Sequence, residues 1–456
     1  MAYRSTNPYT NTVEQSFDDL SDAQLQAKLQ AAQACFDNTW RDQSFAQRRA
    51  VLKRAAALMR ERQPALAALA TREMGKLIAQ SAGEVALSAA IIDYYADHGE
   101  AFLAPEPLKT DKGQAVVECS PLGVLFGVEP WNYPYYQIAR FAAPNLMAGN
   151  VVMVKHASSV PQCALAFEQL MLDAGAPNGA YTNLFATKDQ VAQIIADPRI
   201  RAVALTGSEA AGAIVAAQAG KQLKKTTLEL GGSDAFIVLS DADLDKAVKH
   251  AVSGRMGNSG QACTASKRFI VVEALADTFL AKFQAALGQF TPGDPMDKAV
   301  TLAPLSSSQA LEDLLKQVGN AVSHGARVVI GGKRVEGLAG NFMQPTILTD
   351  IGASNPAYKE EFFGPVALFF RVADEDAAVA LANDSPYGLG GSVFTQDIER
   401  GKRVARKIDT GMVFINSGAV SSPELPFGGV KNSGYGRELS SAGIQEFVNK
   451  KLIRVN

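Results

Sequence analysis

Four short segments of this 456-residue chain hold residue types that could do covalent, acid–base or phosphate chemistry. Gly257-Asn258-Ser259-Gly260-Gln261-Ala262-Cys263 sets a thiol behind a glycine- and amide-rich loop, between a predicted helix and a predicted strand. Backbone N–H groups exposed by such a loop can lower a thiol pKa and later hold an oxyanion. The four histidines, at 98, 156, 250 and 324, lie far off in sequence, so no local Cys-His pair is visible. Taken alone, the segment reads better as a cysteine buried in a turn. In Thr227-Leu228-Glu229-Leu230-Gly231-Gly232, a lone glutamate ends an apolar strand. Burial would raise the Glu229 pKa towards neutrality, as a general base requires, whereas base rates favour a salt-bridged or solvent-facing side chain. Pro130-Trp131-Asn132-Tyr133-Pro134 fixes the backbone around an asparagine amide, a rigid donor or a structural turn. Finally, the strand Ala202–Leu205 runs into Thr206-Gly207-Ser208 and a helix, which could place N–H groups and a positive dipole end against a pyrophosphate. Its spacing is neither GxGxxG nor a Walker A loop, and an ordinary tight strand-to-helix turn reads the same way.

The elements that must position these residues are α/β in texture. Capping boxes at Ser21–Gln24 and Ser44–Gln47 open two N-terminal helices, the second predicted to run to Pro64, and a third continues through Met74-Gly75-Lys76. From about residue 115, β-rich runs at 116–119, 124–126, 151–154, 202–205 and 226–230 alternate with helices at 162–173 and 188–196. A second such block starts near Ser233, with a strand at 235–239, a helix predicted over Asp241–Met256, and strands at 268–272, 328–331, 366–372 and 412–415. Residues 446–455 read as a final strand. Such alternation indicates a mostly parallel sheet covered on both faces.

Composition excludes several function classes. The length implies two or more domains, and 47% hydrophobic with 20% charged residues is ordinary for a folded protein. Forty-four basic against 46 acidic side chains leave no surplus for a phosphate backbone, so nucleic-acid binding is not expected. No stretch is apolar enough to span a membrane, and the polar N-terminus lacks the apolar core of a secretory signal. Cysteines 35, 119, 163 and 263 show no CxxC spacing, which argues against a zinc ribbon or disulfide framework and suits a reducing cytoplasm. Cys35, Cys119 and Cys163 read as structural, and no metal site is expected.

Together the motifs form a family pattern. Pro130–Pro134, Thr206–Ser208, Glu229–Gly232, Gly260–Cys263, Glu361-Phe362-Phe363-Gly364-Pro365 and Pro426-Phe427-Gly428-Gly429 occur in the order and spacing of the aldehyde dehydrogenase superfamily. The resemblance runs from about residue 6 to 455, and is strongest to the succinate-semialdehyde dehydrogenases. It implies a Rossmann-like cofactor domain (1–109 and 123–231), an α/β catalytic domain (232–436) and a small β oligomerisation element (110–122 and 437–456). That element would pair across a subunit boundary in a homodimer or tetramer.

The resemblance makes Cys263 the nucleophile, Asn132 and the Cys263 N–H the oxyanion donors, and Glu229 the base that activates water. At the cofactor, Lys155 matches the adenine-side ribose residue, Glu361 the nicotinamide-ribose residue, Ser208 and Trp131 the pyrophosphate contacts, and Phe363 the nicotinamide side. Gly207 and Leu230 belong to the same site. Arg140 and Ser421 match residues that hold the substrate carboxylate, a bidentate arginine bond worth roughly 1.5–3 kcal/mol. A second arginine found in many relatives is here Gly257, with Arg255 two places earlier and its role open. Ser158 stands where NAD-selective relatives often carry a glutamate, so NADP is expected to be accepted and preferred over NAD. Ala265, two after Cys263, excludes a local disulfide switch. Three rival readings are a CoA-acylating dehydrogenase, against which Glu229 speaks, a catalytically silent scaffold, and a cofactor-free cysteine hydrolase.

Overall fold

The computed structural model describes residues 3–456. Its apolar runs form two mainly parallel sheets. The first orders as Gly434–Tyr435, Lys225–Glu229, Ile200–Thr206, Val124–Glu129, Val151–His156 and Tyr181–Asn183. Only the Gly434–Tyr435 edge is antiparallel. The chain builds outward from Val124–Glu129 on one side, then returns to add Ile200–Thr206 and Lys225–Glu229 on the other. The order therefore reverses between Val124–Glu129 and Ile200–Thr206, and a ligand crevice opens at the carboxyl ends of strands flanking such a switch. Those ends lead into Pro130-Trp131-Asn132 and Gly207-Ser208.

The second sheet orders as Arg327–Ile330, Thr346–Thr349, Val366–Val372, Ser266–Val272, Asp234–Val238, Gly391–Phe394 and Phe414–Ile415, parallel but for the first strand. Period-two alternation separates its two cores: Ala235 and Ile237 face one, Phe236 and Val238 the other. Cys263 lies just before the amino end of Ser266–Val272.

Several elements depart from the sequence expectation. Residues Tyr3–Asn7 and Thr12–Phe17 form a hairpin. The second helix stops at Glu61, and Pro64 sits in the first turn of Gln63–Met74, where a missing N–H costs nothing. The helix predicted from Asp241 starts at Leu244 under an Asp243 cap, because Asp241 instead accepts from Thr395, Gln396 and Asp397 and pairs with Arg400. Gln114–Pro121 pairs with Val448–Val455 and Glu106–Leu108 inside the same chain, which corrects the pairing expected across a subunit boundary. The catalytic-domain boundary also shifts. Phe427, Leu439, Ile444 and Phe447 pack into the core of the first sheet, so residues from about 427 return to the cofactor-side body.

The helix Pro134–Ala148 is buried along its whole length. It fits closely against the first sheet because Gly127 has no side chain: a Cβ there would lie 2.6 Å from Phe141 Cε1. Gly127→Ala should therefore push this helix off the strand, lowering stability by about 1–3 kcal/mol in a thermal or denaturant melt.

Candidate active site

The Cys263 loop is held by its carbonyl oxygens. Gly260 O accepts from Arg255 Nη2 at 2.7 Å. Gln261 O accepts from Asn132 Nδ2 at 3.0 Å and Asn258 Nδ2 at 3.2 Å. Ala262 O and Cys263 O accept from Lys267 Nζ at 2.9 and 2.7 Å. A trans peptide is planar, so a carbonyl turned towards Lys267 turns the next N–H, that of Cys263, the opposite way. Asn258, Ser259 and Gly260 all adopt positive φ. Glycine is required at 260 because a Cβ would meet Gly364 O at 2.2 Å. Ser259 Oγ donates to Ala303 O, and Gln261 accepts from Ser306 N, which fix the far side of the turn.

Two cavities meet at this cysteine. The first, about 290 Å³, is walled by Trp131, Asn132, Gly207, Ser208, Glu229, Leu230, Glu361 and Phe363 as well as Cys263, and so gathers most of the residues expected at a cofactor. Trp131 and Phe363 meet edge to face, with centroids 5.8 Å apart. The second, about 360 Å³, has Cys263, Tyr136, Ser421 and Phe427 in its wall. Gln137 lines both, with its Oε1 buried and unpaired.

Burial pushes the Cys263 thiol up to about 12; Arg140 and Lys267 oppose the rise, while Glu361 and Glu229 add to it. Glu229 ends its strand with both carboxyl oxygens buried and unpaired. Desolvation, then Glu438, holds it well above the usual carboxylate range, against Arg140 and Arg437. Burial raises Glu438 and Glu129 as well. Three buried carboxyls thus share the neighbourhood of Arg140.

Arg140 is not on either cavity wall, which corrects the direct bidentate contact expected for it. Its guanidinium is buried, ion-pairs with Glu438 and lies over the Phe427 ring at 4.4 Å. Leaving Glu438 as an unpaired buried charge would cost more than the contact with solvent gains. Its Nη1 donates to Tyr136 OH at 3.3 Å, and Tyr136 OH donates to Ser421 Oγ at 3.1 Å. Arg140 and Ser421 are therefore joined through Tyr136, and the cavity sees two hydroxyls with a guanidinium behind them. Arg255 is fully buried behind the loop, donating to Gly260 O and Val366 O, so it does not replace the missing second arginine.

Lys155 and Ser158 lie at the carboxyl end of Val151–His156, on the crevice side of the sheet but off the first cavity's wall. Lys155 Nζ donates to His156 O at 3.3 Å, and Ser158 O accepts from Arg4 N. The residues at the cavity suit the phosphate and nicotinamide end of a dinucleotide: it opens at the N-terminus of Glu209–Lys221, and the missing Cβ of Gly231 lets Glu361 Oε2 approach to where a Cβ would lie 2.4 Å from it. Among the described residues no cluster of three or more His, Cys, Asp or Glu could hold a metal, and no helix is long and apolar enough to cross a membrane.

Sequence reasoning missed the groups that act through tertiary contacts. Lys267 is fully buried and also pairs with Glu361 Oε1 at 3.0 Å, an oxygen that accepts from Gly232 N as well. The buried Lys76–Glu84 pair caps the Pro134–Ala148 helix, Glu84 accepting from Tyr135 N and Tyr136 N. Only the helical spacing of Tyr133, Tyr136, Gln137 and Arg140 was available as a signal for Gln137.

The sequence profile of the aldehyde dehydrogenase family matches residues 1–453. The chain is 53% identical to a succinate-semialdehyde dehydrogenase [NADP(+)] of Deinococcus radiodurans, over 99% of this chain and 94% of that one. It is 45% identical to succinate-semialdehyde dehydrogenase [NADP(+)] 1 of Mycobacterium ulcerans, over the whole of both chains. The crystal structure of succinic semialdehyde dehydrogenase from Streptococcus pyogenes in complex with NADP+ superposes with a TM-score of 0.98 at 49% identity, covering both chains fully.

His156 clamps the Asn132 segment. Its Nε2 lies 2.9 Å from Pro134 O, and its Nδ1 lies 3.0 Å from Glu129 O and 3.1 Å from Ala157 N, so the ring is held from both edges by backbone. Burial pushes this imidazole down to about 4. The unfolded chain takes up that proton near 6.5, so the stability His156 gives at higher pH is lost as pH falls from about 6.5 to 4. The stability advantage of wild type over His156→Gln should shrink by up to about 3 kcal/mol across that window, read from paired melts; a constant difference would place the titration elsewhere.

Proposed function

The chain belongs to the aldehyde dehydrogenase family, and from that premise we propose that it oxidises succinate semialdehyde to the dicarboxylic acid with NADP. One observation carries this reading: Cys263 stands where a cavity walled by Trp131, Ser208, Glu361 and Phe363 meets a second cavity lined by hydroxyls that a buried guanidinium backs. The relatives named for this substrate and cofactor match over the full length of the chain.

Cys263 attacks the aldehyde carbon from the junction, forming a thiohemiacetal whose oxyanion faces the Cys263 N–H and the Asn132 amide. The bound nicotinamide supplies the hydride acceptor. Trp131, Phe363, Glu361, Gly207, Ser208 and Leu230 wall its site. Lys155 and Ser158, at the sheet's carboxyl edge, serve the adenine-side ribose, and Ser158 offers a 2′-phosphate no opposing charge. The thioester left on Cys263 is hydrolysed by a water that Glu229 deprotonates; a carboxyl held above its usual range is a stronger base once ionised. The substrate's carboxylate rests on Ser421 and Tyr136, with Arg140 supplying charge from behind. The wall's one acid, Glu84, is neutralised by Lys76 and does not oppose it. All four cysteines are free, which supports a reducing cytoplasm. Exposed Leu452, Ile453 and Val455 on the last strand support a homo-oligomeric contact there.

Two measurements test this reading. Ser421→Ala should raise KM for succinate semialdehyde about tenfold while changing KM for a neutral aldehyde of the same length less than twofold, with NADP giving the higher kcat/KM than NAD. Equal effects on both aldehydes would remove the carboxylate assignment. Glu229→Gln should still form about one equivalent of reduced cofactor per Cys263 in stopped flow, then turn over at least about 100-fold more slowly. Wild-type turnover should climb with pH as Glu229 ionises, at higher pH than an ordinary carboxyl does, a climb the variant lacks. Unimpaired steady turnover would exclude Glu229 as the base.

A further inference from the structure

Among the described residues, Lys267 is the one buried cation bonded both to the Cys263 loop and to a residue of the first cavity's wall. Its Nζ has three close partners: Ala262 O at 2.9 Å, Cys263 O at 2.7 Å and Glu361 Oε1 at 3.0 Å. All three donors of the ammonium are thereby engaged, and its side chain is sealed from solvent. It sits one helical-turn equivalent beyond the thiol in sequence, yet it reaches back because Ser266–Val272 begins there and directs it under the loop.

We infer that Lys267 is a positioning residue that aims the Cys263 N–H into the cleft and supplies positive charge favouring the Cys263 thiolate, with Glu361 as its counterweight. The inference rests on Cys263 being the nucleophile. Holding the Ala262 carbonyl on one side turns the Cys263 N–H, in the same peptide plane, to the other, where an oxyanion would form, and the grip on Cys263 O fixes the peptide that follows. The same ammonium, bonded to the Cys263 carbonyl at 2.7 Å, acts on the buried thiol at low dielectric, where a unit charge acts far more strongly than in water. Glu361, which walls the first cavity, shares that ammonium, so any change at Glu361 is felt at Cys263. The charged and titratable groups facing the thiol are Arg140 and Lys267 on one side of the balance and Glu361, Glu229 and Tyr133 on the other. Lys267 itself faces Glu361 and Asp234, and Glu361 also faces Arg255 and Tyr387.

Alkylation of Cys263 by iodoacetamide reads the thiolate directly, forming an S–C bond, expelling iodide and releasing the thiol proton to buffer. The rate is followed against pH on the Cys263 peptide by mass spectrometry, in full-length protein without cofactor. Lys267→Met, uncharged and of similar length, should move the profile up by about one pH unit, a tenfold slower reaction at a fixed pH below the midpoint. Glu361→Gln should move it down. A Lys267→Met profile that overlays wild type, or moves down, overturns the inference. If that variant does not fold, Lys267→Gln, which keeps an amide donor for the two carbonyls but no charge, decides alone: an upward shift supports the inference and an unmoved profile refutes it. These shifts do not require turnover. Shifted profiles in a protein that oxidises no aldehyde would leave Lys267 in its role and remove the proposed activity instead.

Discussion

A carbonyl taken out of water must find a donor, and the turn leading to Cys263 presents four in succession. Side chains from four parts of the fold meet them: Arg255 from the preceding helix takes the first, Asn132 beyond the first sheet and Asn258 from the turn itself share the second, and Lys267 from the following strand takes the last two. This is why the loop can carry three consecutive positive-φ residues, two of them not glycine. Left-handed backbone in Asn and Ser is costly and persists only where surrounding contacts over-determine it. The direction of the Cys263 N–H follows from this pinning rather than from the flexibility of the glycines.

The partner side is pinned with equal care. Asn132 follows a strand end, and its neighbours are held from three directions: His156 contacts Glu129 O and Pro134 O, Glu84 caps the helix that follows, and Asn258 Nδ2 donates to Asn132 O. The last contact ties the two bodies together across the cleft. Its consequence is that the Asn132 segment and the Cys263 loop are joined directly, as the oxyanion donors proposed here must be to act without reorganisation.

What was legible in the sequence divides along the same physical line. Capping boxes at Ser21 and Ser44 are local hydrogen bonds, and both are present. The motif residues of the crevice were legible because glycine, proline and lone polar residues interrupt apolar strands. Arg140 was legible as a cation of the site, but its partner was not, since Glu438 comes from the far end of the chain. Asp241 looked like a helix-start acid because dipole logic sees only its own segment; its true donors lie in the Thr395–Asp397 turn. Lys267 sat in plain view among strand residues, where a lysine reads as an exposed edge, and only the meeting of the strand with Glu361 reveals its burial. The domain boundary near residue 427 was hidden for a similar reason, because the chain crosses back to the first core without a change in composition.

The crowding of acids around Arg140 has a chemical logic of its own. One guanidinium faces Glu229, Glu438 and Glu129, all buried and all raised above the ordinary carboxylate range. A single positive charge cannot hold three carboxylates ionised at low dielectric, so the cluster keeps protons to higher pH than ordinary carboxyls do. Glu229 as a carboxylate would make the Cys263 thiol still harder to ionise. On the proposed mechanism, keeping it protonated leaves the sulfur free to attack. After acylation the sulfur would no longer carry charge, that repulsion would be gone, and the carboxyl could release its proton to the cluster and accept one from water. The two stages of the proposed reaction thus place opposite demands on one carboxyl, and a shared proton would let it meet them in sequence.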